Sequence, residues 1–368
     1  MSDFLQPRDN SRFIGHQEAE ETFLNAWESG RMAHAWLVCG TRGIGKATLA
    51  YRFARFLLAR SQVDVSSGPS LFGDEAPVSA PSLDMAADHP VFRQVAALGC
   101  PDLKVVERGF ADAKKTKLRS EIVVDDVRDI GHFLSLTPAG GGWRVVIIDA
   151  ADEMNRNAAN AVLKVLEEPP RQAILFLVAH APGRLLPTIR SRCRRLMLSP
   201  LVDDGVRSLL RDRLPSLDET EARLLVQLSE GSIGKALRLA DGGGTELLRE
   251  MFTILEGVGE GGGGVALHAF ADRLLRGDEG GEKFRTAVEL LCWWLARLVR
   301  GGVISPAEEL VGGERALLAR FHHAAGLEQW GEVWEKSMGL LSRTEGLNLD
   351  RKQSLLSIFF MIGRLVRS

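Results

Sequence analysis

The apolar run Trp36-Leu37-Val38-Cys39 leads directly into Gly40-Thr41-Arg42-Gly43-Ile44-Gly45-Lys46-Ala47. Two glycines five residues apart, then lysine, make up most of a phosphate-binding loop. Such a loop works between a buried parallel strand and the start of a helix. After Lys46 the apolar residues Leu49, Phe53, Phe56 and Leu57 recur at the spacing of one helix face. Strand, loop and helix together predict an α/β core. In it, backbone N–H groups at the helix start cradle an anion and Lys46 adds a point charge. One group is missing. The pattern asks for Ser or Thr after the lysine to hold Mg²⁺, and Ala47 has no side-chain oxygen. Thr48 comes one residue late, turned about 100° around the helix. The competing reading is a glycine-rich turn that binds nothing.

The rest of the first half repeats the α/β pattern. Val145-Val146-Ile147-Ile148 and Ile174 to Val178 are buried strand candidates, with Ile122-Val123-Val124 a shorter one. Asp125 or Asp126 would cap the helix after it, which Pro138 and Gly140-Gly141-Gly142 end. Asn157 to Glu168 reads as a helix with Ala159, Val162, Leu163 and Leu166 on one face, stopped by Pro169-Pro170. Strands alternating with helices predict a parallel sheet covered on both sides. Residues 61–89, rich in Ser, Pro, Asp and Gly, read as a surface insertion. After Pro200 strand-like runs give way to amphipathic helices. The expected division is an α/β domain over 1–198, a small helical unit over 199–244 and an all-α domain over 245–368. Gly242-Gly243-Gly244 is a plausible boundary and Gly261 to Gly264 a loop between helices.

Composition narrows the function classes. With 46 basic and 48 acidic residues the net charge is −2, which argues against tight autonomous binding of nucleic acid. The polar opening Met1-Ser2-Asp3 does not read as a signal peptide, and no run of eighteen apolar residues predicts a membrane span. Cys39, Cys100, Cys193 and Cys292 are scattered without C-x-x-C spacing, which fits a reducing cytoplasm and argues against zinc.

Asp149 follows the strand Val145–Ile148, where phosphate-loop proteins place the acid of the Mg²⁺ shell. Enzymes that activate water usually carry Glu next; this chain has Ala150. A positioned base is worth roughly 10²–10⁴-fold in rate. Asp152 and Glu153 are a capping or solvated pair, or an out-of-register base. Downstream, Ile189-Arg190-Ser191-Arg192-Cys193-Arg194-Arg195 reads as arginines ending a sheet strand. They form a solvated face, or one of them is an arginine finger whose planar, permanently charged fork reaches a neighbour's γ-phosphate. Cys193 reads as a packed small side chain.

Together these motifs resemble the clamp-loader branch of the AAA+ ATPases. The resemblance is carried by Phe13-Ile14-Gly15-His16-Gln17, His34-Ala35-Trp36-Leu37, Gly40–Lys46, Leu163 to Pro170 and Ser191-Arg192-Cys193, with Asn348 to Gln353 in support. It covers 11–60 and 100–241 well and the rest loosely. It implies an AAA+ sheet domain with a helical lid and an all-α collar for oligomerisation. Motor subunits of this branch carry the metal hydroxyl, the Glu and a lid-helix arginine; here those positions are Ala47, Ala150 and Gly234. The resemblance therefore implies a stator that does not hydrolyse ATP itself and donates Arg192 in trans. Gly40, Gly43, Gly45, Lys46, Thr48 and Asp149 would form a degenerate nucleotide site binding ATP weakly or not at all, without zinc. The implied partners are motor subunits and a delta-type subunit in a five-membered ring, with the sliding clamp and primer-template DNA reached through the complex and no membrane. Trp293, Trp294, Leu290, Leu291, Leu295 and Leu298 would belong to the collar core. Two other readings stay open: an active AAA+ ATPase using Thr48 and Asp152, and a pure assembly protein with a vestigial loop.

Overall fold

The computed structural model describes residues 6–66, 82–112, 118–139, 141–258, 264–276, 280–301, 309–347 and 349–367. The five strands are β1 (Ala35–Cys39), β2 (Leu103–Val106), β3 (Arg144–Asp149), β4 (Ala173–Ala179) and β5 (Arg194–Met197). They pair in parallel in the order β2-β3-β4-β1-β5. Alternate residues of each strand face opposite sides. Trp36, Val38, Val145, Ile147, Ile174, Phe176 and Val178 therefore share one core. Ala35, Leu37, Cys39, Val146, Ile148, Leu175 and Leu177 share the other. Both faces are covered, so the runs read as continuously apolar.

On the first face pack α1 (Gln17–Glu28), α2 (Lys46–Ser66) and α3 (Pro90–Ala96). Phe23 and Phe53 stack at 3.9 Å at its centre. On the second face pack α4 (Val124–Val127), α5 (Ile130–Ser135), α6 (Arg156–Glu167) and α7 (Pro187–Arg192). Ile122-Val123-Val124 does not form a strand. Ile122 makes one isolated bridge to Met154, and α4 begins at Val124. Neither Asp125 nor Asp126 is the N-cap. Val123 is, and its N–H donates to the Asp126 carboxylate at 2.9 Å. The first part of the expected insertion is helical, because α2 runs on to Ser66. Its last part is tied down: Leu83 is buried and Asp84 pairs with Arg52 at 2.8 Å. Residues 67–81 lie outside the described residues.

After β5 come α8 (Asp203–Arg213), α9 (Glu219–Ser229), α10 (Ile233–Asp241), α11 (Gly244–Val258), α12 (Gly264–Leu274), α13 (Gly280–Gly301), α14 (Glu314–Ala324), α15 (Leu327–Leu347) and α16 (Arg351–Arg367). The chain forms two compact units. One contains residues 3–209 and Gly231–Gly234; the other contains 210–230 and 235–368. Residues 199–244, read from the sequence as a separate small unit, are thus divided between them. Gly242-Gly243 is a tight turn between α10 and α11 inside the second unit. Of the second glycine run, only Gly264 lies within the described residues, where it opens α12. In the second unit Trp294 is fully buried, with Phe252 and Phe321 edge-on at 6.2 and 5.3 Å, and Phe321 stacks on Trp330. Trp293, Leu290, Leu291, Leu295 and Leu298 are buried with it. Among the described residues no helix is long and apolar enough to cross a membrane.

Candidate functional site

Parallel pairing brings the carboxyl ends of β1, β3 and β4 level, with Cys39 opposite Ala179 and Asp149 opposite Val178. The loop from Gly40, the end of β3 and the turn at His180 therefore meet on one rim, where open α/β sheets bind ligands. Lys46 opens α2 and is 3% exposed. Its ammonium donates to the Thr41 carbonyl at 2.5 Å, back into its own loop. Ala47 presents only a methyl, and Thr48 is buried behind it. Burial brings Lys46 down to about 8, against the pull of Asp149 and Asp152. Burial also pushes the Asp149 carboxyl up to about 6; Glu107 adds to this and Lys46 opposes it. Burial takes His180 down to about 4, so its ring is neutral.

Asp149 yields a pH test. Between about pH 4 and 6 the folded state holds a proton on Asp149 that the unfolded chain has lost. Stability from this group is present below the unfolded value and lost as pH rises through about 6. Denaturant titrations from pH 4 to 7 should show that fall, and Asp149→Asn should flatten it.

Asp152 has a clear structural task. Its Oδ1 accepts the His180 N–H at 2.9 Å and its Oδ2 the Ala181 N–H at 2.8 Å. The carboxylate ties the end of β3 to the turn after β4. Glu153 pairs with Arg108 at 2.8 Å, and Ala150 is buried.

The loop is held from two sides by contacts that sequence reasoning missed. The Gly234 N–H donates to the Gly43 carbonyl at 2.9 Å, and the Ser232 hydroxyl to the Arg42 carbonyl at 2.8 Å. A Cβ on Gly234 would stand 2.9 Å from the Gly43 Cα, and one on Gly43 2.4 Å from the Ser232 hydroxyl. Gly43 also has φ +80°, a region that favours glycine. Gly234 is therefore more than a lost arginine: it lets two backbones touch. From the other side the Phe13 ring lies 3.2 Å from where a Gly45 Cβ would be, and the His16 Nε2–H donates to the Ile44 carbonyl at 2.8 Å. Gly40 passes so close to Leu198 that a Cβ would meet its carbonyl at 2.5 Å. The repeated glycines and the Phe13–Gln17 motif were the visible signal for these contacts.

Arg192 lies elsewhere. It does not end a strand: Pro187 starts the short helix α7, and Arg190 and Arg192 occupy its last turn. Cys193 then turns extended and β5 begins at Arg194, opposite Trp36 near the amino end of β1. Arg192 thus sits on the opposite rim from Lys46, about 15 Å of strand away. Its Nη2 is 2.9 Å from Glu167 Oε1, and its Nη1 donates to the Thr188 carbonyl at 3.1 Å. Cys193 is buried, and burial pushes its thiol up to about 12, which leaves it protonated.

Residues 81–202 match the family described as "DNA polymerase III, delta subunit". The chain is 35% identical over 226 residues to the DNA polymerase III subunit delta-prime of Pseudomonas aeruginosa, covering 61% of this chain and 60% of that protein. It is 27% identical over 242 residues to the DNA polymerase III subunit gamma of Buchnera aphidicola, covering 64% and 58%. It spans about 60% of the length of these curated relatives. Among solved structures, a DNA polymerase III gamma-subunit-related protein of Thermotoga maritima superposes with a TM-score of 0.36 at 20% identity, over 94% of this chain and 100% of that one. By its fold and its sequence, the chain is a relative of the DNA polymerase III delta-prime subunits, in the clamp-loader branch of the AAA+ proteins.

Proposed function

We propose that this chain is a non-hydrolysing stator subunit of a DNA polymerase III clamp-loader complex. In this reading it joins motor subunits and a delta-type subunit in a five-membered ring. The ring places the sliding clamp on primer-template DNA, and Arg192 serves the nucleotide of the adjoining motor subunit. The observation that supports this most is the separation of parts. Arg192 and the chain's own phosphate loop lie on opposite rims of one sheet, so this guanidinium cannot serve that loop. An arginine supplied by one subunit to another's nucleotide is worth about 10³–10⁵ in rate.

The chain's own loop fits a metal-bound nucleotide poorly. Ala47 and Ala150 supply no oxygen, Lys46 is bonded within the loop, and Gly234 packs its backbone on Gly43. ATP accordingly binds here weakly or not at all, and neither Mg²⁺ nor zinc enters the mechanism. The alternative, an active ATPase using Thr48 and Asp152, has little to work with. Thr48 is buried, and both Asp152 oxygens are engaged by backbone N–H groups.

The test combines co-purification with candidate motor subunits and ATP turnover measured with and without this chain. The isolated chain should turn over no ATP above background, while adding it to the motor subunits should raise theirs. Lys46→Ala should leave turnover of the assembled complex unchanged. A loss on the scale of a missing catalytic group, roughly 10²-fold or more, would favour the active-ATPase reading instead.

A further inference from the structure

We infer that Glu167 is a positioning residue for Arg192. The inference rests on the reading of Arg192 as an arginine supplied to a neighbour's nucleotide. Arg192 belongs to a crowded run, with Arg190, Arg194 and Arg195 within three residues of it. Arg194 is accounted for by stacking over Trp36, 4.8 Å from the ring centre. Among the described residues, Glu167 is the carboxylate that ion-pairs with this run, and it pairs with Arg192.

Helix polarity makes the placement informative. Arg192 and Glu167 are each the last residue of a helix, α7 and α6. A helix C-terminus favours a cation and disfavours an anion. Arg192 is therefore at home, and Glu167 is held against its helix dipole by the guanidinium beside it. The pair engages one N–H on each terminal nitrogen, with Glu167 on Nη2 and the Thr188 carbonyl on Nη1. Two fixed points orient the planar fork, and a guanidinium with five N–H groups keeps donors for a second anion. An arginine oriented before contact loses less side-chain entropy on meeting a phosphate. The side chains are 36% and 50% exposed, so the pair contributes little to fold stability and its effect belongs in the rate.

The test uses the complex reconstituted with motor subunits, sliding clamp, primed DNA and ATP. Glu167→Ala should lower kcat roughly tenfold, the scale of a mispositioned group, with KM for ATP and complex assembly unchanged. Glu167→Gln, whose amide oxygen still accepts from Nη2, should recover most of the loss. In an Arg192→Ala background Glu167→Ala should cost nothing further. If Arg192→Ala lowers turnover while Glu167→Ala does not, the role of Glu167 is overturned and that of Arg192 stands. A Glu167→Ala variant that assembles poorly at unchanged kcat, or that turns over faster, also overturns it. If Arg192→Ala itself leaves turnover unchanged, the arginine-finger reading fails and this inference with it.

Discussion

Arg192→Ala is expected to cut DNA-stimulated ATP hydrolysis at the adjoining motor site by about 10³-fold or more, while the ring still assembles. The assembly half of that expectation follows from exposure. The guanidinium is partly exposed and pairs with a half-exposed carboxylate, so its loss costs the fold about 1 kcal/mol or less. The rate half follows from charge developing on a transferred phosphoryl group, which a fixed guanidinium stabilises. Arg192→Lys should rescue poorly, because an ammonium keeps the charge but not the planar fork. Size-exclusion chromatography of the complex checks assembly, and single-turnover hydrolysis checks the rate. Unchanged hydrolysis with full assembly would remove Arg192 from the mechanism.

Asp152→Ala should do the reverse: destabilise the fold and leave turnover of the assembled complex alone. The carboxylate accepts the backbone N–H groups of both His180 and Ala181. Bonds to a charged acceptor are worth about 1.5–3 kcal/mol each, and the truncation leaves two donors without their partner. A loss near 3 kcal/mol in a denaturant titration is expected. Asp152→Asn keeps one acceptor oxygen and should recover about half of it. If Asp152 were a general base, turnover would instead fall by roughly 10²–10⁴-fold with little change in stability. The two variants therefore separate a structural carboxylate from a catalytic one.

Much of the sheet domain could be read from the chain because its signals are local. Trp36–Cys39, Val145–Ile148 and Ile174–Val178 are apolar on both faces, as buried parallel strands must be, and each lies within an observed strand. The helix expected from Asn157 to Glu168 forms as α6 over Arg156–Glu167, because Asn155 caps it and Pro169 stops it. Ile122-Val123-Val124 misled because β-branched composition competes with tertiary contacts. The Ile122 backbone bonds Glu153 and Asn155, and the Asp126 carboxylate draws the next residues into a helical turn. The helix α3 was hidden by the Ser- and Pro-rich stretch before it. The contact between Gly43 and Gly234 was hidden differently, since an absent side chain leaves no mark of what approaches it.

Composition and spacing alone determined which chemical groups exist: a loop with Lys46, no oxygen at Ala47 or Ala150, and a guanidinium at Arg192. Only the tertiary structure decided how those groups stand to one another. Strand pairing put Lys46 and Arg192 on opposite rims, set Glu167 against Arg192 and engaged both oxygens of Asp152. The physical reason is range. Helix and strand signals act over a few residues, whereas a hydrogen bond or ion pair depends on distances that exist only once distant segments have packed.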